Sequence, residues 1–322
     1  LYSMRRIILP DILMCVLMNR FAERGEGTIP VSLVRCQDYL GGNVQAAVSE
    51  AIDHIGGIGR YLTPGMHVLV KPNLLMGSAP EKAVCTHPAV LRAVCSIITG
   101  YGCTVTIADS PGAGIPYRTK NLNRAYEQAG YTPLASMAGV TLNEDTSSRT
   151  VSFPEGSFVK QFEIITPILD ADAVVVGSKL KTHIYTGMTG ATKNLFGAIP
   201  GLDKPPYHAR LPDPAGFGKM LLDLNRCIGP VLQIMDAIEI MEGDGPMAGT
   251  PAHLGAVLAS PDYIALDTVA SRLIGFDPRD IGSIHAAMDQ GLADETRIEV
   301  RGTAVSELTR PQTKKPQTHD DE

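Results

Sequence analysis

Between positions 178 and 208 the chain reads Ser-Lys-Leu-Lys-Thr-His, then a turn rich in glycine and hydroxyl residues that ends in Lys193-Asn194, and then His208. Ammonium and imidazole groups at this density suit the holding of an anion and the movement of a proton. Residues 186–197 precede or open an expected helix, so backbone N–H groups and a helix N-terminus would suit a phosphate or carboxylate, with Lys193 as a point charge. The binding set for a small anionic ligand or a nucleotide-derived, phosphorylated cofactor is therefore read as Lys71, Asn73, Asp109, Lys179, Thr189, Gly190, Lys193 and Asn194. His87, His183 and Lys181 are the candidates for acid–base catalysis. His183, His208 and Asp236 are the candidates for a divalent metal on ligand type alone, since no helix-spaced histidine pair and no calcium-loop spacing occurs.

Two common phosphate motifs do not match. The Lys193 turn lacks the Gly-Lys-Ser/Thr of a P-loop, and Gly112-Ala113-Gly114 is followed at position 117 by Tyr where a dinucleotide fingerprint needs Gly.

These residues must be positioned by elements, and the chain from Val31 alternates short β-branched runs with amphipathic stretches, as a sheet with covering helices is written. Strands are expected at 31–35, 67–71, 104–108, 172–177, 231–235, 254–259 and 297–300, with weaker, antiparallel strands in 141–165. Helices are expected at 43–61, 88–99, 123–129, 216–227 and 264–274. The fold class is α/β, a mixed and mainly parallel sheet with helices on both faces, in one domain or two lobes. The polar clusters fall just after expected strands: Lys71-Pro72-Asn73, Asp109-Ser110-Pro111-Gly112, Ser178 to His183, and Asp236 with the Glu242-Gly243-Asp244-Gly245-Pro246 segment. In open α/β sheets that edge is the ligand crevice.

Composition bounds the alternatives. The 322 residues allow one large domain, 32 glycines imply many tight turns, and a formal charge of −6 with no long basic run gives nucleic acid no electrostatic footprint. The absence of Trp also removes a stacking platform for single strands. Six cysteines show neither zinc nor ferredoxin spacing and read as buried thiols of a reducing cytoplasm, so no iron–sulfur cluster is expected in this chain. The apolar stretch 7–18 after Met4-Arg5-Arg6 imitates a signal peptide, but Pro10 and Asp11 interrupt it and no small-x-small cleavage site follows. Residues 1–30 are read as an extension, 31–305 as the α/β domain, and 306–322 as a disordered polar tail. No segment is long enough to span a bilayer, so a cytoplasmic location without a membrane partner is expected.

Taken in order, Lys71-Pro72-Asn73, Thr86-His87-Pro88, Asp109-Ser110-Pro111, Lys179 to His183, Thr189-Gly190 to Gly197, Gly243 to Pro246 and Ser260-Pro261-Asp262 resemble the motifs of domain-of-unknown-function family 362 over residues 31–302. Members of that family often carry a ferredoxin-like module after this domain. This chain departs there, because its C-terminal segment contains no cysteine. A more distant likeness is to the nickel-pincer lactate racemases, whose His, cofactor-bearing Lys and second His follow at spacings similar to His183, Lys193 and His208. That likeness implies a cofactor at Lys193, a metal ligand in His183 or His208, and a proton-transfer base in His87.

Three functions follow as expectations. The first is an enzyme acting on a small anion or phosphorylated cofactor, with a racemase-like metal or nickel-pincer enzyme as its variant. The second is a redox-associated accessory domain that docks an iron–sulfur protein partner. The third is a binding module without chemistry.

Overall fold

The computed structural model describes residues 27–317. The expected extension falls outside them up to residue 26, including the apolar stretch 7–18.

Among the described residues nine strands share one sheet. They are β1 (Ile29–Arg35), β2 (His67–Pro72), β3 (Thr104–Ile107), β4 (Val140–Leu142), β7 (Ala173–His183), β8 (Gly187–Thr189), β9 (Leu232–Glu242), β10 (Thr250–Ser260) and β11 (Ile298–Gly302). Their order is β11-β1-β10-β9-β7-β2-β3-β4, with β8 folded back on the end of β7. Neighbours along β9-β7-β2-β3-β4 are parallel, as are β1 and β11, whereas β10 runs antiparallel to both β1 and β9. The sheet is thus mixed and mainly parallel, as the alternating pattern predicts. The weak strands expected in 141–165 become the end of β4 and a separate antiparallel pair, β5 (Ser148–Ser152) and β6 (Gln161–Ile165).

Side chains alternate across the sheet, and the two faces bury different helices. Val68, Val70, Val175 and Ile234 pack with α1 (Gly41–His54), α2 (Pro88–Gly100) and α3 (Thr119–Gln128). Leu69, Val174 and Val176 point the other way, against α7 (Pro214–Ile228), which follows the short helices α4 (Thr166–Leu169), α5 (Ala191–Asn194) and α6 (Lys204–Arg210). Further along, Met235, Ala237 and Leu258 cover α8 (Tyr263–Leu273) and α9 (Gly282–Asp289).

Local chemistry explains the boundaries. In α1, Val44, Ala47, Val48, Ala51 and Ile52 form one buried stripe, and the helix ends at His54 rather than at Tyr61 because Gly56 and Gly57 take positive φ of 106° and 77°. Ser260-Pro261-Asp262 closes β10 and opens α8, with the Asp262 carboxylate accepting the N–H groups of Ile264 and Ala265.

Two expectations need correction. Strands β7 and β9 do not stop at Gly177 and Met235. They continue through the Lys179–His183 and Asp236 segments, where they remain paired to each other and to β8 and β10. The C-terminal residues described are also not a free tail. Helix α10 (Val305–Leu308) buries Leu308, Arg310 forms an ion pair with Glu242, the Lys314 N–H donates to the Glu242 carboxylate while its carbonyl accepts the Gly243 N–H, and Thr313 is buried.

Candidate functional site

Lys71 shares the parity of Leu69 on β2, whereas Lys179 and Lys181 share the parity of Val175 on β7, so these lysines start on opposite faces of the sheet. At the carboxyl edge the two sets take different fates. Lys71 Nζ pairs with Asp109 Oδ1 at 2.8 Å, both side chains being buried, while the backbone N–H groups of Ser110 and Leu74 complete the carboxylate at 2.8 and 2.9 Å. This pair lies against Gly197, where an added Cβ would stand 2.0 Å from Asp109 Oδ1 and 2.5 Å from Lys71 Nζ. Only glycine allows that approach. Lys179 is equally committed: its Nζ meets Asp236 Oδ2 at 2.8 Å and donates to the Tyr39 hydroxyl at 2.9 Å.

Beyond the strand ends lies a cavity of about 610 Å³, lined among others by Asn73, Asp109, Lys181, His183, Thr189, Lys193, Asn194, Lys204 and His208. Asp109 is the one carboxylate on this lining and is already neutralised by Lys71. Among the described residues the remaining lysines on the lining form no ion pair. Lys181 Nζ donates to Val84 O at 2.8 Å, Asn73 Oδ1 at 3.1 Å and Pro246 O at 3.5 Å, and burial lowers its pKa to about 7. Lys204 Nζ donates to Ser110 O, Ser110 Oγ and Pro111 O at 2.8, 3.0 and 2.9 Å, and burial likewise lowers it to about 7. An ammonium has three N–H bonds, so Lys181 and Lys204 in their charged form have spent theirs on the protein and act on the cavity through charge rather than as free donors.

Lys193 differs. Partly buried on α5, it makes no ion pair or hydrogen bond through its ammonium to the described residues, and burial together with the Lys71 charge lowers its pKa to about 8. On the same lining, the buried Thr189 hydroxyl has no hydrogen-bond partner among the described residues. His183 accepts the N–H of Tyr185 at Nδ1 at 3.0 Å, and that of Thr186 at 3.4 Å. A ring accepting at Nδ1 carries its proton on Nε2. Burial, followed by the charges of Lys193 and Lys181, holds its pKa well below the ordinary value, keeping the ring neutral.

The expected helix-terminus anion site is occupied from within the protein. The N–H groups of Ala191 and Thr192 at the start of α5 donate to the Asp267 carboxylate at 2.6 and 2.9 Å. The same carboxylate would lie 2.1 Å from a Cβ at Gly190. Gly190 is thus a close-approach position for Asp267, absent from the cavity lining, and α5 offers its N-terminus to no external anion.

The proposed catalytic and metal sets do not assemble as sequence suggests. His87 caps α2, accepting Ala89 N–H at Nδ1 and donating its backbone N–H to Asp236 Oδ2 at 2.9 Å, and it stacks on Tyr39 away from the cavity lining. Asp236 also accepts the Tyr39 hydroxyl at 2.7 Å. With Lys179, Tyr39 and His87 on its oxygens it is a structural anion. His208 lines the cavity and stacks on Phe217 at 4.7 Å. A metal-bound histidine keeps a lone pair for the ion and donates its other N–H, whereas His183 accepts at Nδ1 and has its proton on Nε2. Among the described residues no three His, Cys, Asp or Glu side chains gather as a metal site. The trio His183, His208 and Asp236 does not fit a metal.

Sequence reasoning missed Lys204. The available signal was its i, i+4 relation to His208, which puts the two on one face of α6.

Compared with known proteins, residues 68–272 match the family described as a domain of unknown function, DUF362. A thylakoid-associated protein of Synechocystis sp. is 35% identical over 263 residues, 81% of this chain and 79% of the relative. Among solved structures, the lactate racemase apoprotein from Thermoanaerobacterium thermosaccharolyticum matches with a TM-score of 0.45 at 10% identity over 75% of this chain. A protein from Thermotoga maritima matches with 0.39 at 12% identity over 68%. The chain covers 55% of the length of each of these two structures.

Proposed function

The chain belongs to the DUF362 family, and on that footing we propose that it is an enzyme whose strand-end cavity binds a small anion, with Lys193 as the group that touches it. The observation that carries this is the charge balance of the cavity: three lysines that form no ion pair among the described residues, and one carboxylate already paired, in a protein of formal charge −6. Buried like charges repel, and an anion relieves that repulsion. Lys181 and Lys204 supply the field. Lys193, the Thr189 hydroxyl and the Nε2–H of His183 supply donors not used by the protein.

Within this reading the proton-carrying group is Lys193 rather than His183. To act as an acid the neutral His183 ring would have to become an imidazolate, and to act as a base it would have to abandon the Tyr185 N–H. A lysine whose pKa is lowered to about 8 exchanges its proton close to neutrality. The redox-docking alternative asks for a contiguous exposed apolar patch. Of the large exposed apolar side chains described, Leu40, Phe158, Ile184, Leu202 and Met247, only Ile184 and Met247 lie on segments joined by a hydrogen bond, Ile184 N–H to Gly245 O, and two side chains make a small patch.

The test is calorimetric titration and thermal melting of the full chain with inorganic phosphate, phosphomonoesters and hydroxy acids. Saturable binding by at least one of these, lost in Lys193→Ala, is the expected result. Binding that survives that substitution unchanged refutes it.

A further inference from the structure

The cavity lining is graded by depth. Its polar residues Lys181, His183, Thr189 and Lys204 are buried, whereas Ala113, Pro205, Ala209 and Met247, at 47% exposure, reach solvent at the mouth. His208 is the one titratable group among the exposed lining residues. The volume of about 610 Å³ lies in the range of cavities that hold whole organic molecules, roughly 300–1,000 Å³. A bare oxyanion would fill only the floor.

Resting on the anion-binding reading above, we propose that the ligand is an amphipathic organic anion that enters head first, its charged group on the floor at Lys193, Thr189 and His183 and its apolar body at the rim beside Met247 and Pro205. None of the described exposed lining residues carries a carboxylate or ammonium to partner a second charge, so a substituent there is held by removing apolar area from water. The same rim leaves the charged head of a bound ligand shielded from bulk water, which strengthens its contact with the floor. A ligand charged at both ends would lose that advantage, because its outer charge would be desolvated against Met247 and Pro205 with nothing to pair it.

The experiment titrates the full chain calorimetrically with inorganic phosphate, phenyl phosphate and benzyl alcohol at one pH and ionic strength. Phenyl phosphate is expected to bind about tenfold or more tighter than inorganic phosphate, with a more negative heat-capacity change from apolar burial. In Met247→Ser, an exposed position whose change spares the core, the preference for phenyl phosphate over inorganic phosphate is expected to shrink several-fold. Equal affinities for the two phosphates, or a preference that Met247→Ser leaves intact, overturn the head-first assignment and leave the anion site standing. No binding of either phosphate, or benzyl alcohol binding as tightly as phenyl phosphate, overturns the anion site itself and this inference with it.

Discussion

The imidazole Nδ1 of His183 accepts the backbone N–H of Tyr185 at 3.0 Å, and this one bond fixes the tautomer of the ring at the cavity. Nitrogen NMR of the histidine ring is therefore expected to show a neutral, Nε2-protonated His183 at pH 6 and above, where an ordinary imidazole would be largely charged at the lower end, because its pKa is held well below the ordinary value. Removing the ring in His183→Ala deletes a donor to a charged ligand, a loss of about 1.5–3 kcal/mol, or roughly ten- to a hundredfold in affinity. A protonated ring at pH 6 would contradict the assignment.

Lys193→Ala is expected to melt close to the parent temperature, because the ammonium satisfies no group of the described residues and the residue keeps some solvent exposure. What should vanish is the stabilisation by bound anion, which at a hundredfold excess over Kd is about 2.7 kcal/mol for the parent. Scanning calorimetry with and without phenyl phosphate separates the two quantities. A large loss of ligand-free stability would make Lys193 a structural residue.

Lys181 titrates near pH 7 when folded, against the ordinary 10.5. Between those values the unfolded chain binds the extra proton, so the Lys181 contribution to stability rises with pH, by up to about 1.4 kcal/mol per pH unit for one proton. The penalty of the buried charge is fully present below pH 7 and is relieved above it. Urea melts from pH 6.5 to 8.5 should accordingly show the parent gaining stability relative to Lys181→Met, whatever the offset between them. Anion affinity should move the opposite way, falling over this interval as Lys181, Lys204 and then Lys193 lose their protons. A parent-minus-variant difference that is flat or falls with pH would remove Lys181 from the charged floor.

Lys179→Ala leaves Asp236 buried without its ammonium, and the expected cost is about 3–5 kcal/mol of stability in denaturant melts. Because Lys179 is not on the cavity lining, anion-dependent stabilisation should persist in the folded fraction. The contrast with Lys193→Ala, which should lose the ligand and keep the stability, is the sharpest check on which lysine does what. Equal behaviour of the two variants would erase the distinction drawn from their partners.

Much of the architecture is already written in the order of residues. The continuous apolar run Ala173-Val174-Val175-Val176 reads as a strand covered on both faces, and the spacing of Val44, Ala47, Val48, Ala51 and Ile52 reads as one buried helical stripe, because both patterns are set by a few neighbours. The gathering of Lys71, Asp109, Lys181, His183 and Lys193 toward one sheet edge is also legible, since parallel strands bring their carboxyl ends to the same side.

The state of each charge is not local and had to wait for the tertiary structure. Lys179 and Lys181 look alike two positions apart, yet Asp236, 57 residues away, neutralises only the first. The turn at Gly190 looks like a phosphate cradle until Asp267, 76 residues from Ala191, arrives to fill it. His87 and His183 both look like catalytic bases, but one caps a helix and the other has its Nδ1 closed by the next turn of chain. Sequence periodicity determines where a side chain emerges from the sheet. Which partner is already there when it emerges depends on contacts between distant segments, and for buried charges that partner decides between a structural ion pair and a site open to a ligand.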